Sequence, residues 1–227
     1  MMEWHRKLAG MFVATSLAAV QAAHAESTWR NVTTETTPQL AANEIQFMTR
    51  LGDTLWIGTL SGMSAYRDGS FSLVREETRV KRRNPETGAW EEVGKAAKAE
   101  RQICDILRTA PDRYLVGTSG GLFAMSDMRL GAATLTGRTV SPVLRVGGGA
   151  LWALAKDDST GTSTVYHRNA ETWKPVDALE GRAVTGLTQT RDGNVWVVID
   201  GNGVLEVNPA ADPADAKHHL EGLNVRT

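Results

Sequence analysis

Several things are scarce in this chain, and each scarcity closes a door. Of its 227 residues one is cysteine, Cys104, so no internal disulfide holds the fold together. The formal net charge is only −1, which gives no electrostatic reason to expect nucleic acid or an anionic membrane as partner. Beyond residue 25 no apolar run approaches the roughly 20 residues that a membrane helix needs. Segments with a helical period do not alternate with the apolar runs, and that argues against a βαβ fold. The length suits one domain, at most two, with enough chain to bury a core.

What is abundant is repetition. The stretch Thr54-Leu55-Trp56-Ile57-Gly58-Thr59-Leu60-Ser61-Gly62-Met63-Ser64-Ala65-Tyr66 returns as Tyr114-Leu115-Val116-Gly117-Thr118-Ser119-Gly120-Gly121-Leu122-Phe123-Ala124-Met125. It returns again, one residue longer in the turn, from Asn194 to Val207, and Ala150-Leu151-Trp152-Ala153-Leu154 keeps its first half. An apolar run, a Gly-rich turn and a second apolar run spell a β-hairpin. Each hairpin is preceded by a short apolar segment, and two of them are followed by an aromatic-x-x-Val unit, Phe71 to Val74 and Trp173 to Val176. A four-stranded meander recurring about every forty residues is the composition of a propeller blade. The sequence therefore predicts an all-β fold, a β-propeller of about four four-stranded blades plus the start of a fifth. The blades are expected near residues 40–74, 99–136, 140–177 and 179–208, with a charged insertion at 75–98.

The ends carry separate messages. Arg6 and Lys7 form a charged start, residues 8–20 an apolar stretch and Ala23-His24-Ala25 an A-x-A cleavage site. Together they predict a secretory signal peptide over residues 1–25, leaving 26–227 as the propeller domain, soluble outside the cytoplasm, in the periplasm or secreted. Trp29-Arg30-Asn31-Val32 is a fourth-strand unit with no blade before it, the kind of strand that completes a last blade and closes a ring. Leu220-Glu221-Gly222-Leu223-Asn224-Val225 copies the lead-in of the fourth blade, Leu179-Glu180-Gly181-Arg182-Ala183-Val184, but no hairpin follows. This reads as an interrupted ring. Unpaired strand edges would then invite association, so the chain is expected to be either oligomeric or marginally stable.

Asp53-Thr54-Leu55-Trp56-Ile57-Gly58-Thr59 with Gly62-Met63, and Gly117-Thr118-Ser119-Gly120-Gly121-Leu122, resemble the repeats of the two-component regulator propeller family. The resemblance covers most of residues 40–227 and implies a periplasmic ligand-sensing propeller. Asp192-Gly193-Asn194-Val195-Trp196 is also similar to the repeats of virginiamycin B lyase-like propellers, which implies the alternative of a propeller lyase. A structural or assembly scaffold is the third reading. The expectation adopted is a binding or sensing module with no catalytic machinery, no metal and no cofactor.

Motifs that suggest chemistry are mostly explained by turns. Gly117-Thr118-Ser119-Gly120-Gly121 satisfies G-x-S-x-G, yet a nucleophile elbow runs from strand to helix, and a strand follows here. Asp200-Gly201-Asn202-Gly203 starts like a calcium loop but lacks the later ligands. His218 and His219 are adjacent and read as exposed loop residues rather than metal ligands. His167, on an expected strand, is a possible general base only in the lyase reading. Trp56, Trp152 and Trp196 recur at one blade position, and with Gly58, Gly62, Gly117 and Gly121 they are expected to be structural. Trp90 falls outside the repeat, across an expected turn from Arg82 and Arg83. An aromatic beside guanidinium groups suits an anionic or glycan-like ligand, so these three form the candidate ligand site, with a surface hairpin as the competing reading. A protein partner is equally open.

Overall fold

The computed structural model describes residues 32–98, 101–168, 172–208 and 216–220. The chain divides into two units, residues 1–32 and 33–227. The expected signal peptide, the Trp29 strand unit and the expected start of a fifth blade after Leu220 lie outside the described residues.

The second unit is built from β-meanders. Blade 1 contains β1 (Ile45–Leu51), β2 (Thr54–Thr59), β3 (Gly62–Arg67) and β4 (Ser70–Leu73), hydrogen-bonded in chain order. Blade 3 contains β11 (Thr139–Arg145), β12 (Leu151–Lys156), β13 (Ser163–Arg168) and the short β14 (Lys174–Pro175). Blade 4 contains β15 (Val184–Gln189), β16 (Val195–Ile199), β17 (Val204–Val207) and β18 (Lys217–His219). Among the described residues no helix is long and apolar enough to cross a membrane. The fold is that of β-propeller blades packed face to face.

Blade 2 departs from the expected count. Its own meander is β7 (Ile103–Ala110), β8 (Arg113–Thr118), β9 (Gly121–Ser126) and β10 (Arg129–Thr134). The charged insertion is a long hairpin, β5 (Arg75–Arg83) and β6 (Trp90–Lys98), and β5 pairs parallel with β10. The result is a six-stranded sheet in the order β6-β5-β10-β9-β8-β7. Trp90 to Val93 belongs to the inserted hairpin, whose second strand runs on to Lys98, and β10 is the last strand of the blade's own meander. Arg101 fastens the insertion: it donates to both carboxylate oxygens of Glu76, at 2.7 and 3.0 Å, while its guanidinium lies 4.8 Å from the centre of the Phe123 ring.

Packing follows one rule. The inner strand of each blade presents two apolar residues three apart to the blade before it. Ile103 and Ile106 meet Trp56 and Met63; Val140 and Val143 meet Leu115 and Leu122; Val184 and Leu187 meet Trp152 and Leu154. The spacing is three because every inner strand carries a register shift against its neighbour at this place, as at Ile103/Asp105 and Val184/Gly186. A bulge turns an otherwise alternating strand so that both residues face the same side. Close approach explains two glycines: a Cβ on Gly58 would lie 2.2 Å from the Phe47 ring, and one on Gly117 would lie 2.2 Å from the Val140 carbonyl oxygen. At the turns Gly62 and Gly121 have φ of 134° and 137°, where a side chain would be strained.

Candidate functional site

Because neighbouring strands in a meander run antiparallel, the starts of the first and third strands share one end of the blade with the end of the second. At that end, between blades 3 and 4, lies a cleft of about 590 Å³. Thr139 and Ser141 enter it from β11, Lys156 from the end of β12, Thr164 from β13, and Arg182 and Thr185 from the approach to β15 and from β15 itself. Ser141 and Thr185 sit within the register shifts of their strands; both line the cleft, although the Ser141 hydroxyl itself donates to the Cys104 carbonyl of blade 2 at 3.4 Å. Among the described residues Asp200 is the acidic one in the wall.

The loop between β12 and β13, which forms one lip, is held in shape by its own hydrogen bonds. Asp157 accepts from the Ser159 hydroxyl at 2.5 Å and from its backbone N–H at 2.9 Å, and these bonds hold its carboxyl below the usual carboxylate range. The Thr139 hydroxyl donates to Asp158 at 2.6 Å. The wall is thus rich in hydroxyls, with Lys156, Arg182 and Asp200 among its described residues, and the lip adds the carboxylates of Asp157 and Asp158. Such a surface suits a polar ligand carrying many hydroxyls or an anionic group.

A second arrangement joins blades 2 and 3. Asp105, at the register shift of β7, accepts from the Val143 backbone N–H at 2.7 Å and from the Ile106 N–H at 2.8 Å. Burial raises its carboxyl pKa even though these two bonds oppose the shift. Burial, with Asp105 next to it, also pushes the Cys104 thiol up to about 11, which leaves little thiolate for chemistry.

A third constellation stands on the far face of blade 4. His219 stacks on Trp196, ring centres 4.9 Å apart and planes 28° from parallel. Its Nε2 lies 2.9 Å from Glu206, whose other oxygen accepts from the Asn194 side-chain amide at 2.7 Å. This corrects the expectation of loop histidines. His218 and His219 are on β18, and the second of them is half-buried. The signal that was missed is the pairing of Glu206 with Lys217 and of Leu205 with His218 across strands, which their separation along the sequence conceals.

The other residues singled out in the sequence are scattered. Arg83 and Trp90 face each other at the tip of the inserted hairpin, where Arg83 donates to the Gly88 carbonyl at 3.1 Å and Trp90 is 70% exposed. Arg82 stands opposite Glu91 in the strand register beside them. Neither Arg83 nor Trp90 lines the cleft between blades 3 and 4. Ser119 is in the β8–β9 turn, with its backbone N–H on the Gln102 carbonyl. Trp56 and Trp152 are buried and Trp196 is half-buried. His167 lies opposite Trp152 and Lys174. The Asp200 turn is closed by the Ile199 N–H on the Gly203 carbonyl. The repeated Gly-Thr has its own cause: the buried hydroxyls of Thr59 and Thr118 donate to the Gly62 and Gly121 carbonyls and accept from the turn amides of Ser61 and Gly120.

No protein-family model and no curated protein matches the chain. Solved structures do. One is the extracellular domain of the "putative hybrid two component system BT4673 from B. thetaiotaomicron", 18% identical, with a TM-score of 0.56 over 82% of this chain and 25% of that one. Another is the extracellular domain of the system BT3049 from the same organism, 15% identical, with a TM-score of 0.40 over 88% of this chain and 30% of that one. PorZ, a surface component of the type-IX secretion system of Porphyromonas gingivalis, is 13% identical, with a TM-score of 0.49 over 82% and 30%. This chain therefore spans about a quarter to a third of the structures it is similar to. The first of these shows the propeller fold, and it is an extracellular domain of the class of protein that the repeats resemble.

Proposed function

We propose that this chain is an extracytoplasmic β-propeller module that binds a small polar ligand in the cleft between blades 3 and 4. The observation that carries the reading is the wall itself: threonines from three strands, Thr139, Thr164 and Thr185, together with Lys156, Arg182 and Asp200. The export half of the reading rests on the charged start, apolar stretch and A-x-A site of residues 1–25. A sensing role is supported by the likeness of the repeats to two-component regulator propellers. The lyase alternative needs an acid–base pair at the reacting atoms, and the cleft supplies Lys156, Arg182 and Asp200 without a histidine. Titration calorimetry against neutral sugars, uronic acids and sulfated sugars tests the binding. One of these classes is expected to bind, and to be weakened about tenfold or more by Arg182→Ala or Lys156→Ala. Binding unchanged by both substitutions would move the site elsewhere. For export, the extracytoplasmic protein is expected to begin at Glu26 by mass spectrometry.

A further inference from the structure

Each internal junction between blades has two halves. The leading half is the second-strand residue Trp56, Leu115 or Trp152; the receiving half is the next inner strand's apolar pair, Ile103 with Ile106, Val140 with Val143, or Val184 with Leu187. All six of those paired residues are less than a tenth exposed. The same two halves recur at the outer blades without a mate. On β1 the pair is Ile45 and Met48, spaced as the others across the same register shift, and they are 45% and 60% exposed. On β16 the leading residue is Trp196, which is half-buried, and among the described residues His219 is the ring that stacks on it. Among the described residues, no buried apolar cluster joins blade 4 to blade 1.

The first face is not wholly bare. Residues 33–44 lie over its upper part, where the Ala41 N–H donates to the Ser64 hydroxyl and that hydroxyl donates to the Gln39 carbonyl, each at 2.8 Å. Ile57 and Ser64 are buried there, while Ile45 and Met48 are left out. The capping segment thus covers the hairpin and spares the part of the inner strand that receives a leading tryptophan at the other junctions.

We infer that two copies of this chain join head to tail, with Trp196 and Val198 of one copy on the Ile45–Met48 edge of the other. The occupant follows from continuity with the internal junctions, since the chain carries both halves of one repeated interface, the receiving half exposed on blade 1 and the leading half only half-buried on blade 4. Head-to-tail contacts either close into a ring or run on as a filament. Two copies of the four described blades would make eight, within the roughly four to eight at which propellers close, so the arrangement inferred is a closed dimer.

The full chain is tested by light scattering at tens of micromolar and by cross-linking with a short bis-maleimide. The expected mass is that of a dimer, with association weakened about tenfold or more by Met48→Glu, a change at an exposed position. Mixed chains carrying Met48→Cys and Val198→Cys should cross-link to each other and not to themselves. Wild-type chain, whose own Cys104 has a raised pKa and is half-buried, is the control. A chain carrying both cysteines that links within itself would mean that one copy closes its own ring, and would overturn the inference. So would a monomer throughout the concentration range, a dimer that Met48→Glu leaves intact, or cross-links between like variants alone.

Discussion

Blade 3 and blade 4 have second strands that are both apolar runs around a tryptophan, with different fates. In β12, Leu-Trp-Ala-Leu-Ala-Lys, every residue but the last is buried; in β16, Val-Trp-Val-Val-Ile, buried and half-buried residues alternate. Trp152 is 5% exposed, closed in by Leu187 and the other blade 4 residues of one cluster. Trp196, at the same place in its blade, has one stacked imidazole for company. Burial in this architecture is conferred by the next blade. A strand sandwiched on both faces reads as a continuous apolar run, and the same run on an outer blade keeps one face open.

That contrast can be broken experimentally. The largest effect is expected at Trp152, where truncation to alanine should cost on the order of 3–5 kcal/mol; Trp196→Ala should cost clearly less at concentrations where the chain is monomeric. Equal losses in urea melts would mean that Trp196 is sheltered by something other than a neighbouring blade. A middle-sized effect is expected from Gly117→Ala, because the added carbon meets the Val140 carbonyl. Overpacking of this kind costs about 1–3 kcal/mol, and Gly69→Ala, where the space is open but φ is 79°, separates crowding from backbone strain.

A third prediction concerns pH. Burial raises the Asp105 carboxyl pKa in the folded state, so over the range above the ordinary carboxylate value of about 4 the native chain holds a proton that the unfolded chain has lost. Stability contributed by this group is then present at lower pH and falls as pH rises through that window. Asp105→Asn should flatten this fall in melts taken between pH 4 and 7 (about the range of interest); an unchanged slope would assign the fall to other groups. The smallest effect is expected at Trp90, exposed at the hairpin tip, where alanine should change stability by less than about 0.5 kcal/mol.

The blades were legible because hairpins leave local marks: the Gly turns, the Trp at a fixed offset and the apolar pair ahead of it all lie within a dozen or so residues of one another. The long-range pairings were not. That β5 joins β10 in parallel is written in no local pattern, since the partners lie some fifty residues apart and the charges of the insertion suit a solvated loop equally well. β18 was missed because two histidines and a lysine have no strand signature of their own, and Glu206 is what makes sense of them. The cleft between blades 3 and 4 escaped for a related reason. Threonine and serine carry no motif, and only the fold brings Ser141 and Thr185 to one wall. Conversely the pairing of arginine and tryptophan at Arg83 and Trp90 is visible in sequence, but a hairpin tip has no concavity to go with it.

The junctions also differ in what they are made of, and temperature should tell them apart. Between blades 2 and 3 polar anchors cross: Val143 to Asp105, Ser141 to the Cys104 carbonyl, and Arg145 to the Thr109 carbonyl. Between blades 3 and 4 the described contact is a bed of aliphatic side chains around Trp152. Apolar attraction weakens as water is cooled, while hydrogen bonds do not share that decline. Chilling the protein should therefore loosen the last blade first, and swing open the wall that Arg182 and Thr185 supply to the cleft. Whatever the cleft holds would be released by cold before the rest of the arc notices.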